Sequence, residues 1–314
     1  MRTGLACFFP VALRHLCLSQ GRFMAINILR ASNPFMVMVT LLSLLLMVAT
    51  AISEGAEFNL FHVLLLGFGV VLTHVSFNLF CCFHDLKSGF AARAAAMPFS
   101  ASVAMPEQAA NSIKRGAQLT LFLALLCGGY FVVTVGYGLL LPILFVTLMI
   151  LLYHSWLMVR PHINLIIPGL VVGPILGLSS YYALTGIYSY DALYVSLASF
   201  FLVSNLFLLA QYPNWQLNRE LGRFYFPVMY GTKRSSVVYV VFILGVLYVI
   251  GMGDIIGLLP EPAPWAMLPM GLAVYAVVGG FKYGSDGEKL RPHLWANWAA
   301  TIMTTLMLAI LILL

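Results

Sequence analysis

Residues 35–53 read FMVMVTLLSLLLMVATAIS, a run with no charged side chain that ends at Ser53-Glu54-Gly55. A helix needs roughly 20 mostly apolar residues to cross the hydrocarbon core of a bilayer. Eight further stretches read the same way or nearly so: 58–83, 116–136, 137–153, 163–183, 190–212, 236–251, 263–280 and 294–314. Turn signals separate them, among them Gly136-Tyr137-Gly138 and the segment from Gly257 to Pro264. Backbone groups in lipid must be satisfied within the segment, which makes these helices and not strands. The expectation is an all-α polytopic membrane protein with nine spans over 35–314, preceded by a cytoplasmic or interfacial segment over 1–34. The third and fourth spans join so tightly that their boundary is fixed only to within several residues.

Composition leads to the same class. The chain is 62% hydrophobic and 8% charged, whereas soluble domains carry about a quarter charged residues. Too little polar surface is present to cover a water-facing globule, so a lipid bilayer is the expected partner. Five cysteines, with Cys81 and Cys82 adjacent and the others scattered, do not form a disulfide framework. No CxxC zinc pattern occurs. The apolar run from Ala6 to Leu18 is interrupted by Arg14 and His15, unlike a signal peptide. A net charge of +6 fits basic loops at a membrane surface, and nothing resembles a nucleic-acid-binding stripe.

The loops set orientation. All sixteen Lys and Arg residues precede the first span or fall between spans two and three, four and five, six and seven, or eight and nine. The alternate loops hold Glu54, Glu57, Asp191, Asp254 and Glu261 and no basic residue. The positive-inside rule then puts the N-terminus in the cytoplasm and the C-terminus on the opposite side, in what is expected to be a bacterial inner membrane. An error of one span would destroy the separation. The two long cytoplasmic connections, about 84–115 and 213–235, are the natural place for a site. No duplicated half or paired broken helices suggest a transporter.

Three stretches carry the chemistry. The first runs from Asn78 through Cys81-Cys82-Phe83-His84-Asp85 to Lys87-Ser88-Gly89. The second is Gly173-Pro174 followed by Tyr181-Tyr182 and Thr185-Gly186. The third is Gln211-Tyr212-Pro213-Asn214-Trp215-Gln216-Leu217-Asn218-Arg219-Glu220-Leu221-Gly222-Arg223, running on to Gly231. From about residue 24 to its end the chain resembles the UbiA-type intramembrane prenyltransferases, most closely the branch that prenylates dihydroxynaphthoate in menaquinone synthesis. The resemblance implies a nine-helix bundle with a central cavity open to cytoplasm and membrane. It also implies two Asp-rich motifs that hold Mg²⁺, which binds a prenyl diphosphate. Hard Mg²⁺ prefers carboxylate and phosphate oxygens, and neutralising the leaving group is where such a site gains rate.

The sequence departs from the family at those carboxylates. The first motif usually reads Asn-Asp-x-x-Asp before Lys-Ser-Gly; here Cys81 and Cys82 precede a single Asp85. The second commonly reads Pro-Asp-x-x-x-Asp; here Asn214 and Asn218 stand at the two Asp positions. Gln211, Gln216 and Asn164 occupy further places where acids are common. Amides keep approximate size and hydrogen-bonding capacity but lose the charge, so the usual two-metal Mg²⁺ form is not expected and no cofactor is assigned. Cys81, His84 and Asp85 fall on neighbouring helical faces and are a weak candidate for a softer metal such as zinc. Lys87, Arg93, Arg219 and Arg223 are either positive-inside charges or binders of an anionic headgroup. Tyr181 and Tyr182 belong either to an interfacial belt or to the pocket wall. His62 and His74 lie within the second span, where ionisable residues are functional candidates.

The leading expectation is an intramembrane enzyme acting on a lipophilic, isoprenoid or quinone-like small molecule by altered, Mg²⁺-independent chemistry. The alternatives are a non-catalytic lipid-, quinone- or pigment-binding protein or a subunit of a membrane complex, and a conventional prenyltransferase with a displaced metal site.

Overall fold

A computed structural model describes residues 31–57, 59–95 and 109–314. Most of the segment expected over 1–34, and residues 96–108 of the first long connection, lie outside the described residues. Those described are helical throughout, without a strand. Among the described residues, nine helices are long and apolar enough to cross a membrane: α1 (Pro34–Ser53), α2 (Leu60–Lys87), α4 (Ala110–Thr134), α5 (Tyr137–Leu157), α6 (Pro161–Thr185), α7 (Tyr190–Ala210), α9 (Phe226–Ile255), α10 (Ala263–Tyr283) and α11 (Gly287–Leu311). Two short helices, α3 (Phe90–Ala95) and α8 (Trp215–Glu220), lie in the two long connections.

Each expected span is present, and the break between the third and fourth falls between Thr134 and Tyr137. Several helices outrun their apolar windows. α2 continues through Cys81, His84 and Asp85 to Lys87, and α9 begins ten residues before the apolar run. Hydropathy marks where a helix meets lipid, whereas the hydrogen-bonded ladder persists until a cap or a glycine ends it. Local chemistry sets other ends: the Asn59 side chain accepts from the His62 N–H, Ser189 from Asp191 and Ala192, and Asp286 from Lys289.

Contacts sort the connections into two ends. At one end Arg93 pairs with Glu220, Arg223 with Asp85, and the Phe224 N–H with the Met158 carbonyl. Three basic connections therefore meet there. At the other end the Tyr181 hydroxyl donates to Glu54 (2.5 Å), as does Ser189 (3.3 Å), and Tyr188 donates to the Gly138 carbonyl. This joins three of the loops that carry no basic residue.

Packing is uneven. α1, α7, α9, α10 and α11 share the main core, including Leu46, Leu209, Tyr239, Ile250 and Ala273. α6 closes on α7 through a seam of small residues. A Cβ on Gly173 would lie 2.7 Å from the Phe200 nitrogen, and one on Gly169 would overlap Ser204 and the Phe200 carbonyl. Small residues let helix backbones approach this closely where lipid supplies no hydrophobic drive. α2, α4 and α5 are less buried: 11% of the apolar stretch of α2 is buried, against 67% in α7. The space left between them and α6 becomes the cavity.

Candidate functional site

α2 carries Cys81, Cys82, His84 and Asp85 out to the basic end, and helical spacing sends them in different directions. Cys82 packs with Leu79, Leu86 and Ile113 toward α4. Cys81 packs with Tyr153, Leu157, Tyr225 and Trp215. His84 stacks on His154 of α5, with ring centroids 4.2 Å apart and an interplanar angle of 17°. Asp85 meets Arg223. Among the described residues no three His, Cys, Asp or Glu side chains converge as a metal-holding group, so the structure does not bring Cys81, His84 and Asp85 together in that way.

Arg223 is the centre of the site. It follows Gly222, whose φ of +70° lets the chain turn after α8, and its N–H bonds the Asn218 carbonyl at 2.8 Å. Its side chain is buried. The guanidinium lies 2.5 Å from the Asp85 carboxylate, 3.2 Å from the Ser88 hydroxyl and 4.0 Å from the centroid of the Phe90 ring. Ion pairing, hydrogen bonding and ring contact hold one cation against the one carboxylate of the first stretch. The third stretch brings no acid to this pair. Glu220, the carboxylate nearest along it, is exposed and pairs with Arg93 on the outer face.

The amides line up behind this pair. Asn164 is buried; its amide NH₂ donates to the Tyr153 hydroxyl at 3.3 Å, and its carbonyl accepts from Gln211 at 3.4 Å. The Oε1 of Gln211 and the Oδ1 of Asn218 are buried without a hydrogen-bond partner. Asn214 caps α8 through its backbone only. Asn78 is directed elsewhere and donates to the Ser32 carbonyl at 2.7 Å. Gln216, Arg219 and Lys87 are exposed. Burial first, and the Tyr153 phenol second, push the Tyr225 hydroxyl well above the ordinary phenol range, against the opposing influence of Arg223, so it stays protonated as a donor.

An elongated cavity of about 230 Å³ begins where this cluster ends. Phe77, Met149, Tyr153 and Ile167 belong to its wall at the basic end; from there it runs between α2, α4, α5 and α6 to Phe131 and Leu139. Its wall is almost wholly apolar. Tyr181 and Tyr182 sit at the acidic end, Tyr181 on Glu54 and Tyr182 against Tyr188 with ring centroids 4.7 Å apart. The cavity wall takes their neighbours Ser179, Ser180 and Ala183 instead.

Three participants escape sequence reasoning: Tyr153, His154 and Phe90. Tyr153–Leu157 is a π-helical turn, a form frequent at functional sites; nothing in the residue types there announces it. His154 carried a usable signal, as an ionisable residue at the end of an apolar span.

Of the carboxylates at this end among the described residues, Asp85 is engaged by the Arg223 guanidinium and Glu220 by Arg93.

No protein-family model and no curated protein sequence matches the chain. Solved structures do. A UbiA homologue from Aeropyrum pernix K1, in its apo form, is similar with a TM-score of 0.66 and 16% identity, covering 86% of this chain and 97% of that one. A UbiA homologue from Archaeoglobus fulgidus bound to DMAPP and Mg²⁺ gives 0.60 and 13%, covering 89% and 99%. A structure of digeranylgeranylglyceryl phosphate synthase gives 0.55 and 14%, covering 94% and 99%. The fold is therefore the UbiA-like helical bundle.

Proposed function

We propose that this UbiA-like bundle takes an isoprenoid or quinone-like molecule from the bilayer into the α2–α4–α5–α6 cavity and acts on its polar end without Mg²⁺. The observation that supports this most is the Asp85–Arg223 pair at the basic end of the bundle, a fixed protein cation in contact with the only carboxylate of the first motif. A UbiA homologue of the same fold has been seen with DMAPP and Mg²⁺. Here the pair is electrically neutral as a unit, and a diphosphate drawn to Arg223 also meets the Asp85 carboxylate. A neutral polar head meets no such repulsion. The unpartnered oxygens of Gln211 and Asn218 suit a head that donates hydrogen bonds, since a buried acceptor left unmade costs about 1–3 kcal/mol.

In this reading the residues divide the work. The apolar wall holds the hydrophobic part. Tyr153 and Cys81 border the head, the amides orient it, and Arg223 faces negative charge that develops on its oxygen, with Asp85 tuning how much of that cation is available.

A second reading, a non-catalytic carrier or subunit that binds the same molecule, is favoured by one specific observation: Asn164, Tyr153 and Gln211 are hydrogen-bonded to one another and present no evident nucleophile or base. Mass spectrometry of the protein purified from membranes should find a co-purifying isoprenoid or quinone-like molecule. Asn218→Ala should lower its occupancy at equal thermal stability. Conversion of that molecule on incubation supports the enzyme, and its unchanged recovery supports the carrier. Absence of any lipophilic molecule, with native lipid supplied, refutes both.

A further inference from the structure

Five of the helices that line the cavity touch one another in turn around its acidic half, each time across a glycine. A Cβ on Gly69 of α2 would lie 3.0 Å from the Cβ of Cys127 on α4. One on Gly128 of α4 would lie 2.9 Å from Cδ1 of Ile143 on α5, and one on Gly138 of α5 would lie 2.7 Å from the Tyr182 ring on α6. On Gly177 of α6 it would come within 3.1 Å of the Met47 sulfur on α1, and the circuit ends where Gly67 of α2 meets Leu44 of α1 at 3.7 Å. Helices drawn this close through small residues leave no passage to lipid at these points.

Beyond these contacts the wall becomes a floor. Phe131, Leu139 and Ala183 belong to the wall, yet none is more than 4% exposed. They pack with Val132 and Tyr182 in one cluster. The Tyr182 ring occupies the space over Gly136 and Gly138, where α4 turns into α5, and the Tyr188 hydroxyl fixes that turn by donating to the Gly138 carbonyl at 2.8 Å. The polar side chains along the wall serve the helices. Thr73, Thr147 and Ser179 each donate to the carbonyl one helical turn back, and the Thr40 hydroxyl lies 2.7 Å from His74 Nδ1.

Two magnitudes bound what fits. Phe77 at the basic end and Leu65 beside the floor are twelve residues apart on α2, which at 1.5 Å per residue is about 18 Å. That depth takes roughly twelve main-chain bonds of about 1.5 Å, or three isoprene units. A cavity of about 150 Å³ admits benzene, so 230 Å³ holds roughly ten carbons, or two units. We infer that the cavity is a blind socket for one plain hydrocarbon tail of roughly ten to fifteen carbons, that it rejects long polyprenyl tails, and that Phe131 is part of the stop. The inference rests on the reading of this cavity as a lipophilic site and adds an upper limit on tail length.

The test is displacement of a radiolabelled ten-carbon prenyl alcohol from the protein in nanodiscs. Unlabelled prenyl alcohols of ten, fifteen, twenty and forty carbons compete at equal mole fraction in the bilayer. The ten- and fifteen-carbon alcohols should displace the label, and the forty-carbon alcohol should be at least about tenfold less effective, because forcing extra methylenes into a packed wall is unfavourable. Phe131→Ala should move the limit up by about one unit, so that the twenty-carbon alcohol competes as the fifteen-carbon one does in the unaltered protein. Should that variant fail to fold, the length series on the unaltered protein decides. Equal competition by all four lengths overturns the blind socket and leaves the lipophilic site standing. A limit that does not move in folded Phe131→Ala overturns the stop. If the ten-carbon alcohol itself does not bind, the lipophilic reading fails and this inference fails with it.

Discussion

Replacing Arg223 with Met keeps the length and apolar stem of the side chain and removes its charge. The guanidinium loses its bond to Asp85, its bond to Ser88 and its contact with the Phe90 ring. The larger consequence falls on Asp85, left without its cation. Removing one member of a buried ion pair costs about 3–5 kcal/mol. The Asp85 side chain is 22% exposed, so water relieves part of that, and about 2–4 kcal/mol is expected. At about 2–4 °C per kcal/mol for a domain of comparable or somewhat smaller size, the midpoint of thermal unfolding in detergent should fall by roughly 5–15 °C. Asp85→Asn should cost less, because the guanidinium retains Ser88 and Phe90. The double variant should be more stable than the sum of the two losses by at least about 1 kcal/mol. Additivity within about 0.5 kcal/mol would mean that the two side chains do not act as a unit, and a neutral, self-paired site would be refuted.

Three further outcomes are expected. Gly173→Ala brings a Cβ within 2.7 Å of the Phe200 nitrogen and should destabilise the bundle by about 1–3 kcal/mol, whereas Gly129→Ala, with nothing within 4 Å, should leave the unfolding midpoint nearly unchanged. Single cysteines placed near Lys87, Arg223 and Arg291 should be labelled by impermeant reagent from one side of the membrane and those near Glu54 and Asp254 from the other; labelling of the Arg223 and Glu54 regions from the same side refutes the nine-span order. The Asp286 carboxyl at the start of α11 is held below its ordinary range by bonds from Lys289. Its contribution to stability is therefore complete above the unfolded pKa, about 3.9, and is lost as pH falls through the lower folded value. Amide exchange in the first turn of α11 should accelerate only below that range, and Asp286→Ala should abolish the pH dependence.

The spans were legible because a bilayer imposes a single test, length times hydropathy, and because the basic loops gave an independent count. Helix ends were less so. Nothing in the apolar count says that α2 continues to Lys87 or that α9 starts at Phe226; capping and glycine placement decide those. At the site, Asp85, Asn164, Gln211, Asn218 and Arg223 were identifiable, as was the loss of charge around them. Which partner Asp85 takes was not, because Arg223 reaches it across 138 residues of chain and three other cations, Lys87, Arg93 and Arg219, were equally plausible on paper. Cys81 and Cys82 were indistinguishable in sequence, yet α2 turns one toward Tyr153 and the other toward Ile113. Tyr181 and Tyr182 make contacts with Glu54 and Tyr188, and the cavity wall does not include them. The stacked His84–His154 pair and the Thr40–His74 bond depend on packing between helices, for which residue spacing within one helix holds no information.

The central claim is that the polar end of the ligand is handled by the Asp85–Arg223 pair and not by Mg²⁺. It is tested most directly by titrating the protein in nanodiscs with a prenyl alcohol and with its diphosphate, each with Mg²⁺ and with EDTA. The alcohol should bind equally well in both conditions, and the diphosphate should bind no more tightly with Mg²⁺ than without it. A tenfold or greater loss of diphosphate affinity on chelation, which is about 1.4 kcal/mol, would contradict the claim and establish a working metal site among these residues.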